Sequence, residues 1–137
     1  MTKKILFHSS IKGILKDLNE LPGDALLVKY RELEARNSLM LVLLATGNGA
    51  RQSVIEKLRV REFKRAREEK GLWSSLVYDV KTATRGPSLL GYNVDGLRTA
   101  VEKYLSIFRP DLKDDEFVFG TSKNGNYFFH LVNELLL

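Results

Sequence analysis

The sequence predicts an α+β domain that is mainly helical and contains a small antiparallel β-sheet. Apolar residues recur at three- and four-residue steps through most of the chain, whereas residues 72–80 are rich in aromatic and β-branched side chains. With 137 residues, of which 44% are hydrophobic, the chain can bury one sizeable core. We therefore expect an N-terminal arm or linker at residues 1–21 and one folded domain at residues 22–137.

The N-terminal segment alternates lysines with apolar residues, which predicts a short helix or an extended arm. Pro22-Gly23 separates it from a second helix, for which Asp24 is a candidate N-cap. The apolar positions of this second helix follow helical spacing at Leu26, Leu27, Tyr30 and Leu33.

A central helix is predicted next, because near Asn37-Ser38 the pattern changes to the apolar run 39–44. Gly47-Asn48-Gly49 ends this helix, since glycine permits left-handed backbone conformations. A further helix is expected to begin near Arg51, with an apolar stripe formed by Val54, Ile55 and Leu58.

The middle of the chain predicts a hairpin. Residues 62–70 are strongly charged and indicate a short exposed helix or turn that Gly71 closes. Residues 72–80 are expected to form a strand, and after a turn at 81–87 a second strand at 88–92 pairs back on it.

The last third of the chain begins with a helix that Asn93 or Asp95 can cap and that Arg109-Pro110 stops. Its apolar face comprises Val94, Leu97, Val101, Tyr104, Leu105 and Phe108. An acidic loop, a very short strand, a turn and an apolar helix are expected at 111–116, 117–119, 122–126 and 128–137.

Composition excludes several classes of site. The chain has no cysteine and only His8 and His130, so we expect no disulfide, no metal site and no cofactor, and an intracellular protein. The longest apolar run, 39–45, is far shorter than the roughly 20 residues that span a bilayer, and no export signal is apparent. Phosphate-loop, dinucleotide-binding, zinc-protease and esterase motifs are also missing.

Charge is distributed unevenly along the chain. Residues 51–70 hold eight basic and four acidic side chains, whereas residues 110–137 hold two basic and five acidic ones. A polyanion is a natural partner for such a basic segment, although a solvated helix of mixed charge would have the same composition.

Two groups of motifs suggest a family. The first is Thr46-Gly47 with Arg51 between two helices, and the second is Lys81-Thr82 in the predicted hairpin turn, followed by Gly86-Pro87. This order resembles the first part of the catalytic domain of tyrosine recombinases, the phage-integrase family, and most closely its Crypton-like branch. The resemblance covers about residues 39 to 136.

The resemblance implies roles for two residues and duplex DNA as the partner. Arg51 matches the first catalytic arginine, whose guanidinium holds the non-bridging oxygens of the attacked phosphodiester. Lys81 matches the catalytic lysine, which protonates the leaving sugar oxygen. The acidic residue that usually follows the arginine by three positions is replaced by Val54, as tends to occur in the Crypton-like branch.

The same resemblance implies an incomplete active site. The family's His-x-x-Arg box and nucleophilic tyrosine follow the helix that residues 128–137 resemble, and His130 does not begin such a box. We therefore expect no DNA cleavage by this chain alone, whereas a longer parent protein would be a recombinase.

Three hypotheses remain open at the level of sequence. The first is a DNA-binding domain of a recombination or integration protein, nuclear if eukaryotic, which contacts phosphates through Arg51, Arg59, Arg61, Lys64, Arg65, Lys81 and Arg85. The second is a fragment of a complete recombinase, which would self-associate through its exposed C-terminal helix. The third is a small α+β protein-interaction module without a nucleic-acid role.

Overall fold

The computed structural model describes residues 9–46, 51–78 and 86–120, with side chains described from residue 12 onward. The fold is α+β with a small antiparallel sheet, which confirms the predicted class. The elements in chain order are α1 Ser9–Glu20, α2 Gly23–Lys29, α3 Glu32–Thr46, α4 Gln52–Glu56, α5 Val60–Lys64, β1 Arg67–Glu69, β2 Leu72–Val77, β3 Ser88–Tyr92 and α6 Leu97–Phe108.

Within the N-terminal segment, residues 9–20 form helix α1, and a helix is one of the two forms expected there. This helix packs against α3 and α6, and its side chains Ile14 and Leu18 are buried in the core. Asn19 donates one hydrogen bond to the carbonyl of Leu15 and another to the carbonyl of Gly96, where α6 begins. Helix α1 is therefore part of the packed structure.

The boundary between the second and third helices differs from the prediction. The chain breaks at Tyr30, which is extended, and α3 then runs without interruption through Asn37-Ser38. The predicted N-cap Asp24 lies inside the first turn of α2, because Pro22 occupies the cap position. Leu27, placed on the apolar face by its spacing, is exposed. Of the residues in α2, only Leu26 is buried in the core. The helical spacing of apolar residues in the sequence does not predict this.

Helix α4 begins directly after Arg51, as predicted, and Val54, Ile55 and Leu58 are buried. The charged segment 62–70 is not one exposed helix or turn. It contains the end of α5, in which Glu62 is buried, and the edge strand β1.

The three strands form an antiparallel sheet in the order β1-β2-β3. Trp73 lies opposite Tyr92 and Leu76 lies opposite Leu89. Successive residues of β2 face opposite sides of the sheet. Ser75, Val77, Leu90 and Tyr92 are buried on the inner side. The strand predicted for 72–80 ends at Val77, and residues 79–85 lie outside the described part of the chain.

Helix α6 supplies Leu97, Val101 and Tyr104 to the core. Its N-cap is Gly96, with φ at 81°, rather than either of the predicted caps Asn93 and Asp95. A left-handed φ of this kind favours glycine because it has no Cβ.

The segment after the acidic loop 111–116 returns to the start of α5. Phe117 makes a single β-bridge with Arg59, and the Val118 amide donates to the Leu58 carbonyl at 2.8 Å. The strand predicted for 117–119 is therefore one bridge long. Phe119 is fully buried and stacks on Tyr104 with ring centroids 5.9 Å apart. The expected turn 122–126 and helix 128–137 lie outside the described residues.

Candidate functional site

A cleft of about 930 Å³ lies between α5 and the outer face of the sheet. We call it the arginine cleft because four arginines line it. Its lining residues are Arg59, Arg61, Glu62, Arg65, Arg67, Ser74, Leu76, Tyr78 and Leu89. Helix α5 with its two caps supplies one wall, and the three strands supply the other.

Strand register explains which sheet residues face the cleft. Arg67 lies opposite Ser74 on the neighbouring strand, and Leu76 lies opposite Leu89. Since alternate residues share a face, Ser74, Leu76 and Tyr78 point to the same side of β2. Leu76 is 41%, Leu89 49% and Tyr78 60% exposed, so apolar and aromatic surface adjoins the arginines.

Three of the four arginines are free to contact a ligand. Arg61, Arg65 and Arg67 are exposed, and within the described residues none of their side chains has a hydrogen bond or ion pair. Beside the hydrogen bond from Lys64, the charges of Arg61 and Arg65 contribute to the lowered pKa of Asp114 without direct contact. Exposed guanidinium groups present several N–H donors to solvent and match the oxygens of a phosphate.

Arg59 is held in place by the protein itself. Its guanidinium stacks 4.6 Å from the ring centroid of Phe117 and donates a hydrogen bond to the Asp115 carbonyl. These contacts fix the N-terminal end of the cleft wall, where the chain enters α5.

Glu62 is the one acidic residue among those that line the cleft, and it is only 6% exposed. Its Oε1 accepts a hydrogen bond from the Arg59 amide at 2.8 Å, and its Oε2 accepts one from the Tyr78 amide at 3.0 Å. Because both oxygens are engaged by main-chain donors, the carboxylate joins α5 to the end of β2. The charged side chains that face solvent in the cleft are therefore arginines.

Lys64 lies apart from this cleft, although the sequence groups it with the arginines. Its Nζ is 2.7 Å from Asp114 Oδ1 in the acidic loop, and this hydrogen bond lowers the pKa of the Asp114 carboxyl below its usual value. Of the predicted phosphate contacts, the structure brings Arg59, Arg61 and Arg65 together.

The structure does not bring the remaining predicted site residues that it describes into the cleft. Arg51 is exposed at the N-cap of α4 and does not line the cleft. Lys81 and Arg85 lie outside the described residues. Arg67 and Tyr78 were missed, because their place on the outer sheet face becomes visible only once β1 is recognised as a strand paired with β2.

The described ranges contain no group of three or more His, Asp or Glu residues that could hold a metal ion. Within the same ranges no helix has both the length and the apolar character needed to cross a membrane. The chemistry that the arginine cleft offers is charge-assisted hydrogen bonding beside apolar surface.

No protein-family model, curated protein or solved structure matches this chain. Function is therefore inferred from the residues of the arginine cleft and from the order of the elements.

Proposed function

We propose that this chain is a DNA-binding domain of a recombination or integration protein and that the arginine cleft holds the phosphates. The observation that carries the proposal is the convergence of four arginines, of which Arg61, Arg65 and Arg67 have no side-chain partner among the described residues. A planar guanidinium group can bind two oxygens of one phosphate. Several neighbouring arginines therefore suit a nucleic-acid backbone, which is made of repeated phosphates.

The order of the elements supports the recombination part of the proposal. The apolar helix α3 precedes Arg51, Arg51 directly precedes a helix, and Lys81 lies between the paired strands β2 and β3. This is the order that the resemblance to tyrosine recombinases implies. In a longer protein that supplied the nucleophilic tyrosine, Arg51 would hold the reacting phosphate and Lys81 would protonate the leaving oxygen.

Binding of this kind is expected to depend steeply on salt. Each neutralised phosphate of duplex DNA releases condensed counterions and contributes about 0.9 to the slope of log K against log salt concentration. Contacts from Arg61, Arg65 and Arg67 would give a slope of about −3.

The test compares Arg65→Gln with Lys64→Gln, since both variants remove one positive charge from adjacent positions. Fluorescence anisotropy with a labelled duplex of mixed sequence, at several salt concentrations, measures affinity and slope. We expect Arg65→Gln to weaken binding severalfold and to reduce the slope by about 1, because it removes one phosphate contact. Lys64→Gln should change both much less, because Lys64 pairs with Asp114 outside the cleft. Equal effects of the two variants would refute the proposal, as would failure of the wild-type chain to bind either duplex or single-stranded DNA.

A second candidate function is the small protein-interaction module. Leu27 and Val28 favour it, because these adjacent apolar side chains of α2 are 55% and 90% exposed. Under this hypothesis the chain does not bind polyanions at moderate salt, so the same anisotropy titration separates the two functions.

A further inference from the structure

We propose that the arginine cleft accepts a single-stranded segment of nucleic acid and that one unpaired base stacks on the ring of Tyr78. This inference rests on the proposed function and names the form of nucleic acid that the cleft binds.

The outer sheet face combines aromatic, apolar and cationic side chains. Tyr78, Leu76 and Leu89 expose aromatic and apolar surface in the same cleft as the four arginines. In a duplex the faces of the bases are covered by their neighbours, so duplex DNA would bring mainly phosphates and sugars to this surface. An unpaired strand offers base faces and phosphates together, and aromatic rings beside a cationic groove suit both.

A buried carboxylate holds the main chain on which the Tyr78 ring is carried. Glu62 accepts the amide hydrogens of Tyr78 and Arg59, so one buried carboxylate fixes the main chain at both residues. The position of the stacking ring is thereby coupled to the helix that carries Arg61. Because the main chain at Tyr78 is already fixed, less conformational entropy is lost when a ligand binds there.

The size and the charge of the arginine cleft also suit a short single strand. The cleft volume of about 930 Å³ is near the upper end of the roughly 300–1,000 Å³ typical of small-ligand sites, so it suits a few nucleotides. Glu62, the only carboxylate among the lining residues, already accepts two main-chain hydrogen bonds. The arginines of the cleft are therefore left to bind an anionic ligand.

The experiment measures the affinity of the full chain by anisotropy for three labelled probes: a thymidine dodecamer, the same sugar-phosphate chain without bases, and a duplex of equal length. We expect the dodecamer to bind more tightly than either of the others. Tyr78→Leu should weaken dodecamer binding by about fivefold to 150-fold, the range expected for loss of one base stack. Tyr78→Phe should retain the wild-type affinity, because it keeps the ring.

Two controls make the result specific. Leu72→Ala alters an exposed apolar residue of β2 that does not line the cleft, so it should leave dodecamer affinity unchanged. Tyr78→Leu should not weaken binding of the baseless chain, since that probe has nothing to stack. Denaturation midpoints of all variants confirm that each is folded.

Several outcomes would overturn the inference. Duplex binding as tight as dodecamer binding, or an equal effect of Tyr78→Leu on the dodecamer and the baseless chain, would leave the proposed function standing and refute the single-strand form. Failure of all three probes to bind would refute both. Displacement of the dodecamer by polyglutamate at matched charge would show that the cleft recognises an acidic peptide instead.

Discussion

Single residues decide how the arginine cleft is built, and Glu62 is the clearest example. A run of charges in a sequence does not reveal that one of its carboxylates turns inward, because exposure depends on partners distant in the chain. Here one of those partners is the amide of Tyr78, sixteen residues away. Lys64 is a basic residue that the sequence places among the cleft arginines but that does not line the cleft. Its side chain instead pairs with Asp114.

Replacement of Glu62 by glutamine tests the inward role of this residue. The amide nitrogen of glutamine cannot accept a hydrogen bond, so one of the two main-chain donors would lose its partner in a buried position. We expect the free energy of unfolding to fall by about 1–3 kcal/mol, measured by urea denaturation. Glu69→Gln, on the exposed strand β1, is the matched control and should stay within about 0.5 kcal/mol of the wild type. Similar values for both variants would contradict the structural role of Glu62.

At the scale of elements, helices with a continuous apolar stripe could be predicted from the sequence, as α4 and α6 show. Their boundaries could not always be found, since Tyr30 interrupts the chain where the apolar spacing continues. Strand β1 was missed for a different reason. Its residues Arg67, Glu68 and Glu69 are all exposed, so no apolar alternation signals a strand, and pairing with β2 alone defines it.

The junction between α1 and α2 gives a prediction about pH. Hydrogen bonds from Lys29 and Tyr30 lower the pKa of Asp17 below its usual value of 3.8, and the Lys29 ammonium lies 2.8 Å from the carboxylate. Because folding lowers the pKa of Asp17, its ionised carboxylate stabilises the fold fully at pH values above the unfolded-state pKa. This stabilisation is lost as the pH falls through the folded-state pKa.

Asp17→Asn should therefore be less stable than the wild type at neutral pH. The difference in unfolding free energy is expected to hold down to about pH 5 and then to narrow as the wild-type carboxyl protonates. Urea denaturation at a series of pH values measures it. A difference independent of pH down to 3 would mean that the charge of Asp17 contributes nothing to the junction.

At the scale of the whole molecule, chain segments distant in sequence close one core. The class of the fold could be predicted because 44% hydrophobic residues with helical spacing and one strand-like stretch leave few alternatives. The arginine cleft could be predicted only as a basic segment. Its shape depends on the β1–β2 pairing and on the return of residues 117–119 to the start of α5, neither of which leaves a periodic signal.

Phe119 tests the contribution of this returning segment. Its ring is fully buried against Tyr104, and its carbonyl accepts a hydrogen bond from Arg36 at 3.2 Å. We expect Phe119→Ala to cost about 3–5 kcal/mol, a large share of the roughly 5–15 kcal/mol that stabilises a typical domain. Phe119→Leu should cost less because it leaves a smaller cavity. Denaturant unfolding measures both, and a loss below about 1 kcal/mol for the alanine variant would place the segment outside the cooperative core.

Strand β1 also bears on how the molecule behaves in a crowded solution. Within the described residues β1 pairs with β2 alone, and no described strand pairs with its other edge. An open edge can template the addition of a strand from another chain, the first step of sheet-to-sheet aggregation. The exposed charges of Arg67, Glu68 and Glu69 oppose that addition, because a second chain would have to bring its own strand against them. The same charged residues that conceal the strand in the sequence are of the kind that opposes strand addition at a sheet edge.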